Sequence, residues 1–247
     1  MQRDELLARL NVWLEPEKFK DYAPNGLQVQ GRAEISRIVT AVSATQTVID
    51  KAVELQADAL LVHHGWFWRG EDSRLIGVKK NRIKSILAAD INLIAYHLPL
   101  DAHPEMGNNA CLGKLLHATH VRQSGEGDFV WSGEIEPTSV RDLSQRLSKL
   151  LHRPVLVLGN EDKQIHNMAW CSGAAADFLE EAIAIGAGAY LSGEAAERST
   201  HLARESGVPF LVCGHHATER FGIQALGARI EKEFGLECIF VDDDNPI

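Results

Sequence analysis

Six side chains that commonly bind metal ions occur in this sequence just after predicted strands. They form three groups that each follow an apolar run, and two of these groups have the form His-x-x-x-carboxylate. Imidazole nitrogen and carboxylate oxygen are ligands for zinc, manganese, iron and similar divalent ions. Six groups exceed what one tetrahedral ion needs, so we predict a site for two metal ions. The six residues are His63 with His64, His97 with Asp101, and His215 with Glu219.

Two bound ions would favour hydrolytic chemistry. A pair of divalent ions about 3.5–4 Å apart can clamp and deprotonate a bridging water. The resulting hydroxide attacks a carbonyl, phosphoryl or amidine-like carbon. His97 or Glu194 is a candidate for transferring a proton instead of binding metal. Metal pairs also serve redox chemistry and storage, and the ligand types alone do not exclude either.

Structural histidines are the alternative explanation. A single histidine at the end of a strand is more often a hydrogen-bonded residue than a metal ligand. Six candidate groups at three equivalent strand ends favour metal binding instead. His216 lies beside His215 but has no counterpart elsewhere, and the other histidines show no comparable context. We expect those other histidines at the surface or in packing positions.

Strand-like and helix-like segments alternate along the chain, which predicts an α/β fold. The apolar runs are almost continuously hydrophobic, as in strands covered on both faces, so we expect mixed or mostly parallel sheets. Ligands collect at the carboxyl ends of the strands in such sheets, and the predicted metal ligands follow these ends. The predicted strands are 38–42, 59–62, 91–95, 155–158, 168–171, 189–191, 210–213 and 238–241.

The sequence also contains a faint internal repeat. Residues 37–65 align with 167–195 without a gap, and the alignment superimposes a strand, a helix face and a second strand. A second aligned stretch superimposes the two His-x-x-x-carboxylate pairs. We therefore predict two related α/β lobes, 1–125 and 126–247, joined through the polar segment 123–128. Coincidence between two generic strand–helix units is the alternative.

Local signals predict how the ligands are presented. Successive strand residues point to opposite faces, so the chain must turn after His64 if both neighbouring histidines bind, and Gly65 permits a turn. Pro99 predicts that its ligand pair lies on an irregular loop rather than a helix. For the other pair, we expect a helix that begins at Thr218 or a neighbour and directs Glu219 back towards its histidine.

Two further segments are candidates for lining a pocket. Residues 66–69 read Trp-Phe-Trp-Arg and are followed by the basic segment 79–82. Aromatic rings stack on flat heterocycles, and cations hold phosphates. The alternative, which we favour, is an aromatic loop packed at a subunit contact. Residues 22–27 are rich in turn formers and either line the pocket or only reverse the chain.

Composition and charge exclude several classes of function. The net charge of -9 argues against an extended nucleic-acid or membrane-binding surface, because such a surface needs a basic face. The sequence shows no signal-peptide pattern, and no apolar stretch reaches the roughly 20 residues of a membrane span. The four cysteines are scattered without Cys-x-x-Cys spacing, which predicts thiols in a reducing compartment. The expected location is cytoplasmic.

Five motifs resemble those of the GTP cyclohydrolase I type 2 family, which is also described as the dinuclear metal-centre proteins. They occur in the same order and with comparable spacing over essentially the whole chain. They are Tyr22-Ala23-Pro24-Asn25-Gly26-Leu27-Gln28, His63-His64-Gly65, His97-Leu98-Pro99-Leu100-Asp101, Leu191-Ser192-Gly193-Glu194 and Gly214-His215-His216-Ala217-Thr218-Glu219-Arg220.

The resemblance implies an intertwined two-lobed α/β subunit, a ring-shaped homohexamer and two divalent ions per chain. Zinc, manganese, iron, cobalt or nickel would suit the ligand types. The family name implies hydrolytic opening of the guanine imidazole ring of GTP, so we expect a nucleotide or a related heterocycle as substrate. The alternative is a non-catalytic metal-binding or partner-scaffolding ring protein. The implied metal ligands are His63, His64, Asp101, His215 and Glu219, and His97 is a further ligand or an immediate neighbour of the site.

Overall fold

The computed structural model describes residues 1–247, except for the side chain of Glu126. It confirms an α/β fold. The helices are α1 (Arg3–Leu14), α2 (Gln46–Glu54), α3 (Gly77–Ala88), α4 (Leu98–Ala102), α5 (Asn108–Leu115), α6 (Val140–Leu151), α7 (Leu179–Ala184), α8 (Glu197–Ser206) and α9 (His215–Phe234). The strands are β1 (Gly26–Val29), β2 (Arg37–Ser43), β3 (Ala59–His64), β4 (Asn92–Ala95), β5 (Thr119–Ser124), β6 (Val130–Ser139), β7 (Leu156–Leu158), β8 (Gln164–Trp170), β9 (Tyr190–Ser192), β10 (Phe210–Val212) and β11 (Glu237–Phe240).

The chain divides into two compact units, each made of two separate segments. Unit 1 comprises Met1–Gly107 and Gly222–Asp244, and unit 2 comprises Asn108–Phe221 and Asn245–Ile247. The chain therefore leaves unit 1 after α4 and returns to it within α9. The division into lobes 1–125 and 126–247 stays a prediction.

In the described part of unit 1, five strands form a mixed sheet in the order β1-β4-β3-β2-β11. The four strands from β4 to β11 are parallel, and β1 is antiparallel to β4. Alternate residues of β3 enter different cores: Leu60 packs in the same cluster as Ile49 of α2, and Leu61 packs in the cluster that contains Leu10 of α1 and Leu226 of α9. Because both faces are covered, the inner strands are mostly apolar.

Within unit 2, the described strands form a second mixed sheet in the order β5-β6-β8-β9-β10-β7. The strands β8, β9 and β10 are parallel, and the other pairings are antiparallel. One face packs with Leu143 and Leu147 of α6, and the other packs with Leu179 and Ala182 of α7. The prediction omitted β5 and β6, since the residues of β5 are almost all exposed and polar enough to resemble a loop.

The two units repeat the same local order of elements, as the sequence alignment predicted. In unit 1, β2, α2 and β3 form a parallel strand–helix–strand arrangement, and in unit 2, β8, α7 and β9 do the same. The next parallel strand, β4 or β10, is followed within three residues by a histidine that belongs to a predicted ligand pair. Among the helices of the described residues, none has the length and hydropathy that crossing a membrane requires.

Candidate metal centre

Three histidines of unit 1 converge at the carboxyl ends of its parallel strands. His63 and His64 are the last residues of β3, and His97 follows β4 after one residue. Each offers one ligand atom, and these atoms lie within 4.8 Å of one another. The ring centroid of His97 lies 5.0 Å from that of His63 and 5.6 Å from that of His64. The shared edge of parallel strands thus brings His97 together with the neighbouring residues His63 and His64, which lie on a different strand.

Each of these rings uses its Nδ1 atom for a hydrogen bond to an oxygen. The Nδ1 atom of His63 lies 3.0 Å from the main-chain oxygen of Tyr96, and that of His64 lies 3.0 Å from the hydroxyl of Ser43. The partner of His97 is a carboxylate. A carbonyl or a carboxylate only accepts, so in the neutral form the rings of His63 and His97 donate from Nδ1 and leave Nε2 unprotonated. Metal-binding histidines typically have such a partner on the second nitrogen.

The carboxylate beside His97 belongs to Asp21, a residue that the sequence analysis did not select. Its Oδ1 atom accepts a hydrogen bond from Nδ1 of His97 at 2.9 Å, and its Oδ2 atom accepts one from Nδ2 of Asn25 at 3.0 Å. Burial raises the pKa of Asp21, but the hydrogen bonds from His97 and Asn25 outweigh it and hold the pKa well below its usual range. Asp21 is therefore ionised at neutral pH. The only available sequence signal was its position directly before the turn-rich motif.

Asp101 reaches the same group from a short helix. The prediction of an irregular loop around Pro99 was wrong, because α4 begins at Leu98, with Pro99 in the first turn. Proline is compatible with that position, since the first N–H groups of a helix have no intrahelical acceptor. Asp101 is 7% exposed, and its Oδ2 atom lies 3.6 Å from Nε2 of His63.

Aromatic rings border the three histidines. Tyr22 and Trp68 each contact His97 edge-on, with ring centroids 5.1 Å away, and Trp68 also lies 6.0 Å from His64. Segment 66–69 thus has two roles. Trp68 borders the histidines, whereas Trp66 is 6% exposed and belongs to the core of unit 1. The expectation of an aromatic loop packed at a subunit contact stays a prediction.

A glycine after the double histidine makes room for Gln28. The Oε1 atom of Gln28 accepts a hydrogen bond from the main-chain N–H of Trp66 at 2.7 Å. A Cβ atom at Gly65 would lie only 2.2 Å from that oxygen. The glycine is therefore explained by the close approach of a side chain. The hydrogen bond between Gln28 and Trp66 holds the end of the turn-rich motif next to the segment that follows the double histidine.

The second group lies in unit 2, at the start of α9. His215 is the first residue of this helix, three residues before the predicted start at Thr218, so His215 and Glu219 are one helical turn apart. The Nε2 atom of His215 lies 3.1 Å from Oε2 of Glu219, and its Nδ1 atom lies 2.5 Å from Oε1 of Glu194. Glu194, which follows β9 after one residue, is thus a direct partner of the histidine.

The charges around His215 favour a cation. Burial lowers the pKa of His215, but hydrogen bonds and charges from Glu219 and Glu194 outweigh it and raise the pKa to about 9. Glu219 is only 3% exposed, so its charge needs a positive partner. A divalent cation bound there would replace the proton of the imidazolium, and binding would release that proton.

Two glycines that the sequence analysis did not select as site residues pack against this group. A Cβ atom at Gly173, whose φ is +66°, would lie 2.2 Å from Oε1 of Glu219 and 3.3 Å from Nε2 of His215. A Cβ atom at Gly193 would lie 2.6 Å from Cα of His215. Side chains at either position would displace the ligand pair. The main-chain N–H of Gly173 also donates a hydrogen bond to the hydroxyl of Thr218.

Both groups have the chemistry that divalent ions require. Unit 1 offers three imidazole rings whose Nδ1 atoms already form hydrogen bonds, together with the buried carboxylate of Asp101. Unit 2 offers an imidazole between two carboxylates. Mixed nitrogen and oxygen ligands suit zinc and first-row transition metals. The fold and these groups define an α/β protein with histidine- and carboxylate-rich candidate metal sites.

Comparisons with known proteins give the family. The family model of Duf34/NIF3 (NGG1p interacting factor 3) matches residues 1–246. A protein of Allochromatium vinosum named GTP cyclohydrolase 1 type 2 homolog is 46% identical over 244 residues, covering 98% of this chain and 96% of that protein. The solved structure of protein ybgI, described as of unknown function, has a TM-score of 0.96 and 43% identity, and TTHA1606 from Thermus thermophilus has 0.92 and 33%; both likenesses cover 100% of each chain.

The chain belongs to the Duf34/NIF3 family. The resemblance to GTP cyclohydrolase I type 2 proteins is confirmed, since full-length relatives carry that name. The α/β fold is confirmed as well.

Proposed function

We propose that this protein binds two divalent metal ions and hydrolyses a nucleotide or a related heterocycle. The observation that carries the proposal is the convergence of three histidines, each with its Nδ1 atom engaged. The proposed metal ligands are those implied by the family resemblance. They are His63, His64, Asp101, His215 and Glu219.

Bound divalent ions would supply Lewis acidity and lower the pKa of a water ligand. The protein's own residues have complementary tasks. His97 would hold or transfer a proton at its Nε2 atom, because its Nδ1 atom is engaged by Asp21. Glu194 would orient His215 through the hydrogen bond at Nδ1.

Two features support a flat heterocycle as substrate. Tyr22 and Trp68 lie beside His97, and Tyr22 is 51% exposed, so an aromatic surface is available next to the histidines. Aromatic rings stack on planar ligands at little entropic cost. The curated relatives are named GTP cyclohydrolase 1 type 2 homologs, which makes GTP the first substrate to test.

The proposal is tested by metal content and turnover. Mass spectrometry of protein purified without chelators should give about two ions per chain, and Asp101→Ala or Glu219→Ala should lower that number. Glu180→Ala, which removes an exposed carboxylate of α7, is the control and should keep the wild-type content. Loss of both ions from each ligand variant indicates one dinuclear centre, whereas loss of one from each indicates separate sites. Full metal retention in both variants would refute the ligand assignment.

Turnover separates the enzyme from the alternative of a non-catalytic metal-binding or scaffolding protein. The metal-loaded wild type is incubated with GTP and a panel of other nucleotides. Hydrolysis that a chelator abolishes and added metal restores supports the enzyme. Two bound ions without turnover of any nucleotide in the panel would overturn the proposed substrate class.

We also propose that the chain forms a homohexamer, as the family resemblance implies. Exposed apolar side chains at Leu75, Ile76 and Val78 support self-association, since they are 53%, 56% and 65% exposed in the single chain. Light scattering after size-exclusion chromatography should give six times the chain mass of 27.2 kDa. A monomer mass would overturn this proposal.

A further inference from the structure

We propose that Asp21 is a positioning residue that fixes the tautomer of His97, so that an unprotonated Nε2 atom is presented to the group formed with His63 and His64. An unprotonated Nε2 atom is required both for binding a metal ion and for accepting a proton. The consequence for metal binding rests on the proposed function. The tautomer itself does not.

Asp21 is held as an acceptor on both oxygens. Its side chain is 4% exposed. Oδ1 accepts hydrogen bonds from Nδ1 of His97 and from the main-chain N–H groups of Tyr22 and Ala23, and Oδ2 accepts from the N–H of Leu98 and from Nδ2 of Asn25. Because a carboxylate carries no proton to donate, the contact between Oδ1 and Nδ1 requires His97 to donate from Nδ1. The four other donors leave Asp21 no alternative to accepting.

The same motif also fixes the backbone of His97. The Oδ1 atom of Asn25 accepts a hydrogen bond from the main-chain N–H of His97 at 2.8 Å. Asp21 and Asn25 therefore hold the ring and the main chain of one histidine together, although 72 residues separate Asn25 from it along the chain. The geometry gives the turn-rich motif a specific task, which is the orientation of this ring.

His97 is distinguished from its neighbours by the charge of its partner. His63 bonds to a main-chain oxygen and His64 to a hydroxyl. Hydrogen bonds to a charged acceptor are roughly twice as strong as those between neutral groups. Of the three rings, His97 is thus the one whose Nδ1 atom has a charged acceptor.

The variant Asp21→Asn reverses this arrangement without changing the size of the side chain. Its amide carries a donor on one side, so it cannot accept from all five donors. An amide nitrogen at the Oδ2 position would meet the N–H of Leu98 and the Nδ2 of Asn25. At the Oδ1 position it would donate to Nδ1 of His97 and force the proton onto Nε2. Either orientation weakens or inverts the control of the tautomer.

The tautomer is read by long-range ¹H–¹⁵N NMR of the imidazole rings in metal-free protein at pH 8, with His97→Gln to assign the signals. We expect the Nδ1–H form for His97 in the wild type and a gain of the Nε2–H form in Asp21→Asn. The Nε2–H form in the wild type would overturn the proposal, and this spectrum decides even where the variant folds poorly. An unchanged tautomer in folded Asp21→Asn would also overturn it.

Zinc affinity, measured by competition with a chelator, gives the second readout. Loss of such a partner typically costs on the order of 10–100-fold in metal affinity, and we expect that range for Asp21→Asn. The matched control is Ser43→Ala, which removes the neutral partner of His64 and should cost no more than a few-fold. Equal losses in both variants would overturn the special role of Asp21. If wild-type protein binds neither zinc nor another of the named divalent ions but shows the Nδ1–H form, the proposed function fails while the inference about the tautomer stands.

Discussion

Substitution of Gly173 by alanine tests whether Glu219 is a metal ligand. The added Cβ atom would lie 2.2 Å from Oε1 of Glu219 and 3.2 Å from its Cδ atom. An ordinary carbon–oxygen contact is roughly 1 Å longer than the distance from this Cβ atom to Oε1. The carboxylate is 3% exposed and belongs to a helix, so it must move within a packed environment. The substitution therefore displaces one candidate ligand without deleting any polar group.

The expected magnitude has two parts. Placing a non-glycine residue in the left-handed region, at a φ of +66°, costs about 1–2 kcal/mol of the free energy of unfolding. For a chain of this size that lowers the melting temperature by roughly 2–8 °C. Displacement of a reacting group by about 1 Å can cost on the order of 100-fold in function. We expect metal affinity to fall by about 10–100-fold, as for other perturbations of ligand orientation.

Gly186→Ala is the matched control, because it separates the two parts. Gly186 also lies in unit 2 and has a φ of +77°, but a Cβ atom there would meet nothing within 4 Å. As metal-free proteins, both variants should lose the stability that the left-handed backbone costs, and Gly173→Ala should lose more because Glu219 must also move. Only Gly173→Ala should lose zinc affinity.

The assays are thermal unfolding in a chelator and zinc titration against a competing chelator. Unfolding without metal is needed because bound metal itself stabilises the folded state. Unchanged zinc affinity in folded Gly173→Ala would refute the positioning of Glu219 as a ligand. An equal loss of affinity in Gly186→Ala would show that backbone strain, rather than the contact with the carboxylate, is responsible.

Two further predictions concern stability. Burial raises the pKa of Asp58, but hydrogen bonds from Arg37 and Ser36 and the charge of Arg32 outweigh it and lower the pKa. Because Asp58→Asn weakens these hydrogen bonds to a charged acceptor, it should destabilise the protein by about 2 kcal/mol at pH 7. The pKa of Asp58 in the folded state lies below the usual 3.8, so the difference in stability between wild type and variant should shrink as the pH falls below 3.8. It should disappear below the folded-state pKa, and acid unfolding curves measure it. A pH-independent difference would contradict the lowered pKa of Asp58. The hydroxyl of Tyr96 donates a 2.6 Å hydrogen bond to Asn11, so Tyr96→Phe should cost about 1 kcal/mol of the free energy of unfolding in urea. Zinc affinity should stay unchanged, because the substitution keeps the main-chain oxygen of Tyr96 that contacts His63. An altered zinc affinity would contradict that separation.

The sequence by itself determined the α/β class and the edge at which candidate ligands gather. Continuous apolar runs predict strands covered on both faces, and parallel strands place their carboxyl ends at one edge. For this reason the convergence of His63, His64 and His97 followed from their positions directly after such runs. Strand β5 escaped prediction because exposed edge residues carry little periodic signal.

Only the tertiary structure decided which groups orient the ligands. Asp21 contacts His97 across 76 residues of sequence. The glycine that accommodates Glu219 follows β8, whereas α9, the helix that carries this carboxylate, follows β10. The sequence also did not predict that the chain around Pro99 is helical. Pro99 lies in the first turn of α4, where the N–H that proline lacks would have no intrahelical acceptor. Residue type predicts which atoms are able to bind a metal. Hydrogen bonds and close contacts between distant segments determine where those atoms point, and the physical reason is that these contacts form only when the chain is packed.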